Sequence, residues 1–207
     1  MSEHHITSRD QLRTVYKKPG EGAVKKVLSQ LDKHCISFIA RCPFCVLSTS
    51  AADGSLDASP KGGDPGFLTV QDASTVLLPD WPGNNRLDSL ENILENPQVG
   101  LMLLVPGMDE TLRINGRAVL STDSALQESL AIGGKSPISV IVIAVEEAYL
   151  HCARAVWRAD LWNADKHINR PDLPTMGQML QDQVAGYDGA AVDKIIAENR
   201  NNLYALD

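Results

Sequence analysis

Between Pro43 and Val145 the chain is interrupted at short intervals by glycines, prolines and Asx-Gly turn signals. Breaks this frequent exclude long helices and confine the apolar runs to short strands joined by tight turns. Phe44 to Ser50 reads as a strand, Asp53-Gly54 as its turn and Leu56 to Ser59 as the return. Gly62, Gly63, Pro65 and Gly66 then make a loop that no regular element tolerates. Phe67 to Val70 and Thr75 to Pro79 are two more strands around the turn at Gln71 to Ser74. Val99 to Val105 reads as a buried strand, and Thr111 to Leu120 returns with alternating character. The β-branched run Ile138 to Val145 is the expected last core strand. Six or seven short antiparallel strands of this kind predict a closed or partly closed barrel, in a mainly β chain with flanking helices (α+β).

The flanks carry a different period. Ser8 or Thr7 is placed to cap a short first helix. Val24, Val27, Leu28, Leu31 and Cys35 recur at three- and four-residue steps, which predicts one amphipathic helix ending before Pro43. Inside the β region, Asp88 to Asn96 reads as a short helix with Asp88 as N-cap and Glu91 completing a capping box. A small helix follows near Ala125 to Ala131. Glu146 to Trp162 reads as helical, Thr175 caps another helix, and Ala191 to Leu203 is a terminal one. The expected organisation is a helical extension over 1–41, a barrel over 42–162 and a helical tail over 163–207 packed on the barrel.

With 207 residues, 43% of them hydrophobic, the chain has enough apolar surface for a real core. Its formal net charge of -7 argues against nucleic acid and anionic membranes as partners, since both select basic surfaces. No apolar run reaches the length of a spanning helix, and the start lacks the pattern of a signal peptide. A soluble cytoplasmic protein is the expectation, and any anion site must be local.

Such a site is suggested by three polar clusters at successive strand ends. They are Ser59-Pro60-Lys61-Gly62, Pro79-Asp80-Trp81-Pro82-Gly83-Asn84-Asn85-Arg86-Leu87-Asp88-Ser89, and Glu110-Thr111-Leu112-Arg113. Phosphate recognition needs charge-assisted donors, backbone N–H groups and small residues that permit close approach. Ser89 falls in the first turn of the expected helix, where unpaired N–H groups favour an anion. Read from residues alone, the same bases serve equally well as solvated surface charges and the glycines as turns.

Taken together, Pro43-Phe44, Asp53-Gly54, these clusters, Asn96-Pro97-Gln98-Val99-Gly100-Leu101 and Asn115-Gly116-Arg117-Ala118 form a combination that resembles the pyridoxamine 5'-phosphate oxidase-like family of FMN-binding split barrels. The similarity runs from about Pro43 to Trp162 and is nearer to a branch distinct from the oxidase itself. It implies a split barrel and a homodimer with FMN in a cleft between two barrels. It further implies that Ser59 and Lys61 contact the cofactor, with Lys61 at the position of a cofactor-contacting lysine. Pro79, Asp80 and Trp81 would border the flavin ring. Asn84, Asn85, Arg86 and Ser89 lie in the segment that holds the phosphate, although the oxidase's Ser-Arg-Lys phosphate cluster is not reproduced. Thr111 falls where the oxidase has a glutamine that reaches FMN across the dimer, and Arg113 shares its strand face.

A second basic cluster, His151, Arg154, Trp157 and Arg158, has the spacing of one helical face and is a candidate substrate site; a surface helix with Trp157 turned inward has the same spacing. Cys42-Pro43-Phe44-Cys45 has thioredoxin-like spacing, but it follows a helix and opens a strand, the reverse of a redox context. No second pair stands at zinc spacing, so no metal site is expected. The first functional expectation is an FMN-dependent oxidoreductase acting on a small molecule. The alternatives on the same barrel are a non-catalytic flavin or haem carrier or sensor, with His151 or Cys152 as axial ligand, and an F420-dependent reductase.

Overall fold

The structure is a computed structural model that describes residues 4–200 and 203–204. Its centre is one antiparallel sheet of seven strands: β1 (Phe44–Ser50), β2 (Leu56–Gly62), β3 (Thr69–Asp72), β4 (Thr75–Asp80), β5 (Gln98–Leu104), β6 (Thr111–Ser121) and β7 (Ser139–His151). The order across the sheet is β2-β1-β5-β6-β7-β4-β3, so β2 and β3 are edges with no ladder joining them among the described residues. This is the expected split barrel, open along one seam.

Alternation along the strands decides which face curls inward. Leu47, Leu101, Leu103, Leu112, Ile114, Ile141 and Ile143 are all fully buried and belong to one cluster. Each such side chain contributes about 2 kcal/mol of hydrophobic stabilisation. The opposite face carries Phe44, Ser48, Met102, Arg113 and Tyr149. A bulge at Asn115/Gly116 shifts the β6–β7 register. A Cβ at Gly116 would lie 2.0 Å from the Ala144 carbonyl oxygen, so the close approach of the two strands there requires glycine.

Before the barrel come α1 (Arg9–Val15), α2 (Glu21–Lys25) and α3 (Lys33–Ile39). Ser8 caps α1 as expected, accepting from the Gln11 N–H. The single helix expected through Val24 to Cys35 is not formed. Leu28 instead exchanges backbone hydrogen bonds with Ala148 at 3.0 and 2.8 Å, and Leu31 N–H donates to the Ala73 carbonyl. Asp32 then starts α3 by accepting from the N–H groups of His34 and Cys35. Tertiary pairing to β7 therefore overrides a local helical period. Leu31, Cys35, Phe38 and Ile39 still reach the core, now from two separate segments.

Helix α4 (Asp88–Glu95) lies between β4 and β5, and α5 (Ser124–Ser129) between β6 and β7. Strand β7 continues to His151, well past the expected helical start at Glu146, because its residues pair with β6 as far as Thr111. After it come α6 (Arg154–Ala159), α7 (Met176–Gln183) and α8 (Gly189–Asn199). Thr175 and Gln178 form a reciprocal capping box on α7. Gly177 and Gly189 bring α7 and α8 into backbone contact, and Asp193 ties them by accepting from Thr175 Oγ1 at 2.5 Å and Gly177 N–H at 2.9 Å.

Candidate functional site

Strand β2 turns Asp57, Ser59 and Lys61 to one side, and this side faces the seam. Across the seam, β4 ends in Pro79 and Asp80 and continues into Trp81-Pro82-Gly83-Asn84-Asn85-Arg86 before α4 begins. Lys61 Nζ meets Asp80 Oδ1 at 2.9 Å, and both side chains are largely shielded from solvent. Beside this pair opens a cleft of about 660 Å³ lined by Ser59, Lys61, Asp80, Trp81, Asn84, Asn85, Arg86 and Ser89. Of the residues expected near a cofactor from sequence, eight meet here, and Pro79 borders the adjoining cleft.

The start of α4 is the site's most anion-friendly element. Its N-cap is Leu87, not Asp88 as expected, and no side chain caps it. Asp88 is already helical, and its carboxylate turns back to Arg86, accepting from Nε at 2.8 Å. This pair raises the Arg86 guanidinium and lowers the Asp88 carboxyl from their ordinary values through their mutual hydrogen bond. The pair is exposed, so exchanging Asp88 for another anion costs little. Asn84 Oδ1 accepts from the Arg86 N–H at 3.0 Å, and Asn85 sits in the left-handed region at φ 57, which asparagine tolerates. The loop thus holds Arg86 beside the uncapped helix. Ser89 is buried and its hydroxyl donates to Asp57 Oδ2. Asp57 is not among the residues expected at the site, although its two-residue spacing from Ser59 marks it as a same-face neighbour.

Thr111 and Arg113 lie elsewhere. They stand on β6, opposite His151 and Tyr149 of β7, on the outer face of the sheet. Arg113 and Lys26 approach the Tyr149 ring to 5.5 and 5.6 Å, so one aromatic ring carries two cations. His151 ends β7, so it does not share a helical face with Arg154 and Arg158 of α6 as expected. Trp157 is exposed rather than packed inward, and its Nε1–H donates to Asp109 Oδ2 at 2.7 Å, fastening α6 to the β5–β6 turn. None of His151, Arg154, Trp157 and Arg158 lines the seam cleft of its own chain.

Another cavity, of about 680 Å³, opens on the outer face between Ser48, Gly100, Asn115, Glu146 and Glu147. It offers two carboxylates and no base, which disfavours an anionic ligand there. Cys42 and Cys45 are completely buried. Burial pushes the Cys45 thiol up to about 12 and raises that of Cys42, the opposite of an activated redox pair. Among the described residues no cluster of histidine, cysteine and carboxylate groups is arranged to hold a metal, and no helix is long and apolar enough to cross a membrane.

A family model described as pyridoxamine 5'-phosphate oxidase matches residues 31–152, more than half of the chain. The chain belongs to the pyridoxamine 5'-phosphate oxidase family. The match begins at Leu31, where the core begins, and ends just beyond β7, so the seam cleft lies wholly within the family region. Solved structures with a similar fold include HupZ of Group A Streptococcus, 18% identical over 58% of this chain and 93% of that one, with a TM-score of 0.48. An FMN-binding protein of Syntrophomonas wolfei is 14% identical over 56% of this chain and 83% of its own, with a TM-score of 0.46. No curated protein sequence matches the chain.

Proposed function

We propose that the seam cleft binds FMN and that the protein is an FMN-dependent oxidoreductase of the pyridoxamine 5'-phosphate oxidase type. One observation carries this reading. The uncapped start of α4, Arg86 and Asn84 lie in the same cleft as Trp81, Lys61 and Asp80. The first group suits a phosphate, and the second suits a flat ring with polar edges. Arg86 and the free N–H groups of the first turn of α4, that of Ser89 among them, would hold the phosphate. Trp81 and Pro79 would border the ring. Lys61, already shielded and tied to Asp80, keeps a positive charge near the ring without requiring it to be fully desolvated. When bound, the flavin supplies hydride exchange at its N5, and the protein supplies orientation and electrostatics.

The same reading includes a homodimer. The outer sheet face presents Phe44 and Met102, about two-fifths exposed, next to Val46 and Leu104. A second copy covering this face would bury them and bring Thr111, Arg113 and Lys26 toward its own seam. The basic residues around Tyr149 would then complete the partner's cofactor site.

The test is the absorbance spectrum of the purified protein, alone and after addition of FMN. Flavin bands that are released on heating are expected. A Soret band would transfer the barrel to haem, and a colourless protein that takes up no FMN would refute the proposal.

A further inference from the structure

Lys61 and Asp80 separate the cofactor cleft from a second cleft of about 580 Å³. Pro60, Lys61, Asp80, Trp81 and Pro82 line both, so the two are adjoining compartments along one seam. The second is walled by Phe67, Trp81 and Tyr204. Tyr204 belongs to the C-terminal segment, far in sequence from the barrel, yet its ring meets Trp81 edge-on with centroids 4.9 Å apart and an interplanar angle of 69°. Gly63 makes this closure possible. A Cβ there would approach Phe67 Cβ to 2.8 Å and the Tyr204 hydroxyl to 3.4 Å.

The charges of this compartment are as specific as its shape. Lys61 is its one base and is engaged by Asp80. Asp64 also borders it and has no ion-pair partner among the described residues. One cation therefore faces two carboxylates. A phosphorylated or carboxylated ring would enter against an excess of negative charge, whereas an uncharged or cationic ring meets aromatic walls and a carboxylate. A volume of this order admits an aromatic ring with room for substituents.

We infer that this compartment is a binding site for a planar, uncharged or cationic aromatic substrate, and that Tyr204 is a specificity-determining residue that closes it. The inference rests on the flavin reading for the ligand's role as substrate, and the two can fail separately.

Three probes of one size but different charge decide it: nicotinamide, its ring-N-methylated cation, and nicotinate. Their affinities are measured by ligand-observed NMR on the full chain, with and without FMN, while flavin fluorescence reports FMN uptake in the same samples. The neutral and cationic probes should bind, and nicotinate should bind about tenfold more weakly than the cation. Tyr204→Ala should weaken the neutral probe about fivefold, the scale of one lost aromatic contact, while Tyr204→Phe preserves it. Nicotinate binding as tightly as the cation, no binding of any probe, or an unchanged Tyr204→Ala would overturn the inference. FMN uptake without ring binding removes the compartment alone; ring binding without FMN uptake removes the flavin reading alone.

Discussion

Lys61 and Asp80 form an ion pair at 2.9 Å although their strands, β2 and β4, stand first and sixth in the sheet order. A flat sheet would hold them several strand spacings apart, about 4.8 Å each. The pair therefore records the curl of the sheet and fastens its open seam at the point where the two clefts meet.

Because both side chains are mostly shielded, removing one leaves the other charge poorly solvated. Asp80→Ala should cost about 2 kcal/mol of stability, below the full penalty of a buried pair because water still reaches it. Lys61→Met with Asp80→Leu should recover much of that loss. Urea unfolding of Lys61→Met, Asp80→Leu and their double variant measures the coupling; additive losses would mean that the pair does not fasten the seam.

Gly116 offers a sharper structural test. Alanine there would place a carbon 2.0 Å from the Ala144 oxygen at the bulge, so the strands must separate. The expected loss is about 3 kcal/mol, typical of severe overpacking. Gly83, with open space around its Cβ position, is the control and should tolerate alanine. Equal thermal melts for the two variants would contradict the close approach.

The cysteines give a pH dependence. Burial raises the Cys35 thiol to about 11 and the Cys45 thiol to about 12, from an ordinary value of 9.0. Above pH 9 the unfolded chain gives up these protons while the folded chain retains them, so the folded state binds more protons. Stability from these thiols is therefore complete below about 9 and falls as pH rises toward 12. Cys45→Ala should flatten this alkaline decline in denaturant melts taken across the range. At neutral pH, iodoacetamide should modify native protein only at the exposed Cys152; rapid labelling of Cys42 or Cys45 would show that these thiols are accessible.

Met102 stands between Val46 and Arg113 on the outer sheet face, in the register where a second copy would pack. Met102→Arg should yield a monomer by light scattering and lower FMN affinity at least about tenfold, since a charge buried without a partner at a subunit contact costs several kcal/mol. A variant that remains dimeric would place the subunit contact elsewhere.

The barrel was legible because glycines, prolines and alternating burial report strands locally. Phe44 to Ser50 is a strand as read, and the seven-strand count lies within the expected range. Departures occur where distant backbone intervenes. Leu28 pairs with Ala148, which breaks the expected N-terminal helix, and Thr111 pairs with His151, which extends β7 through residues read as helical. The seam cleft was legible as three clusters, but not its division from the Thr111–Arg113 face, because strand order decides which clusters meet. Tyr204 had no signal at all, since nothing in the tail indicates where it docks.

The proposed phosphate site is Arg86 with the uncapped start of α4 at the seam. The direct measurement compares FMN with riboflavin, which has the same ring and lacks the phosphate, in fluorescence titrations of wild type and Arg86→Ala. FMN should bind wild type at least about tenfold more tightly, the scale of a charge-assisted hydrogen bond, and Arg86→Ala should remove most of that preference while riboflavin affinity is unchanged. Equal affinity of wild type for the two flavins, or a preference for FMN that survives in Arg86→Ala, would contradict the account.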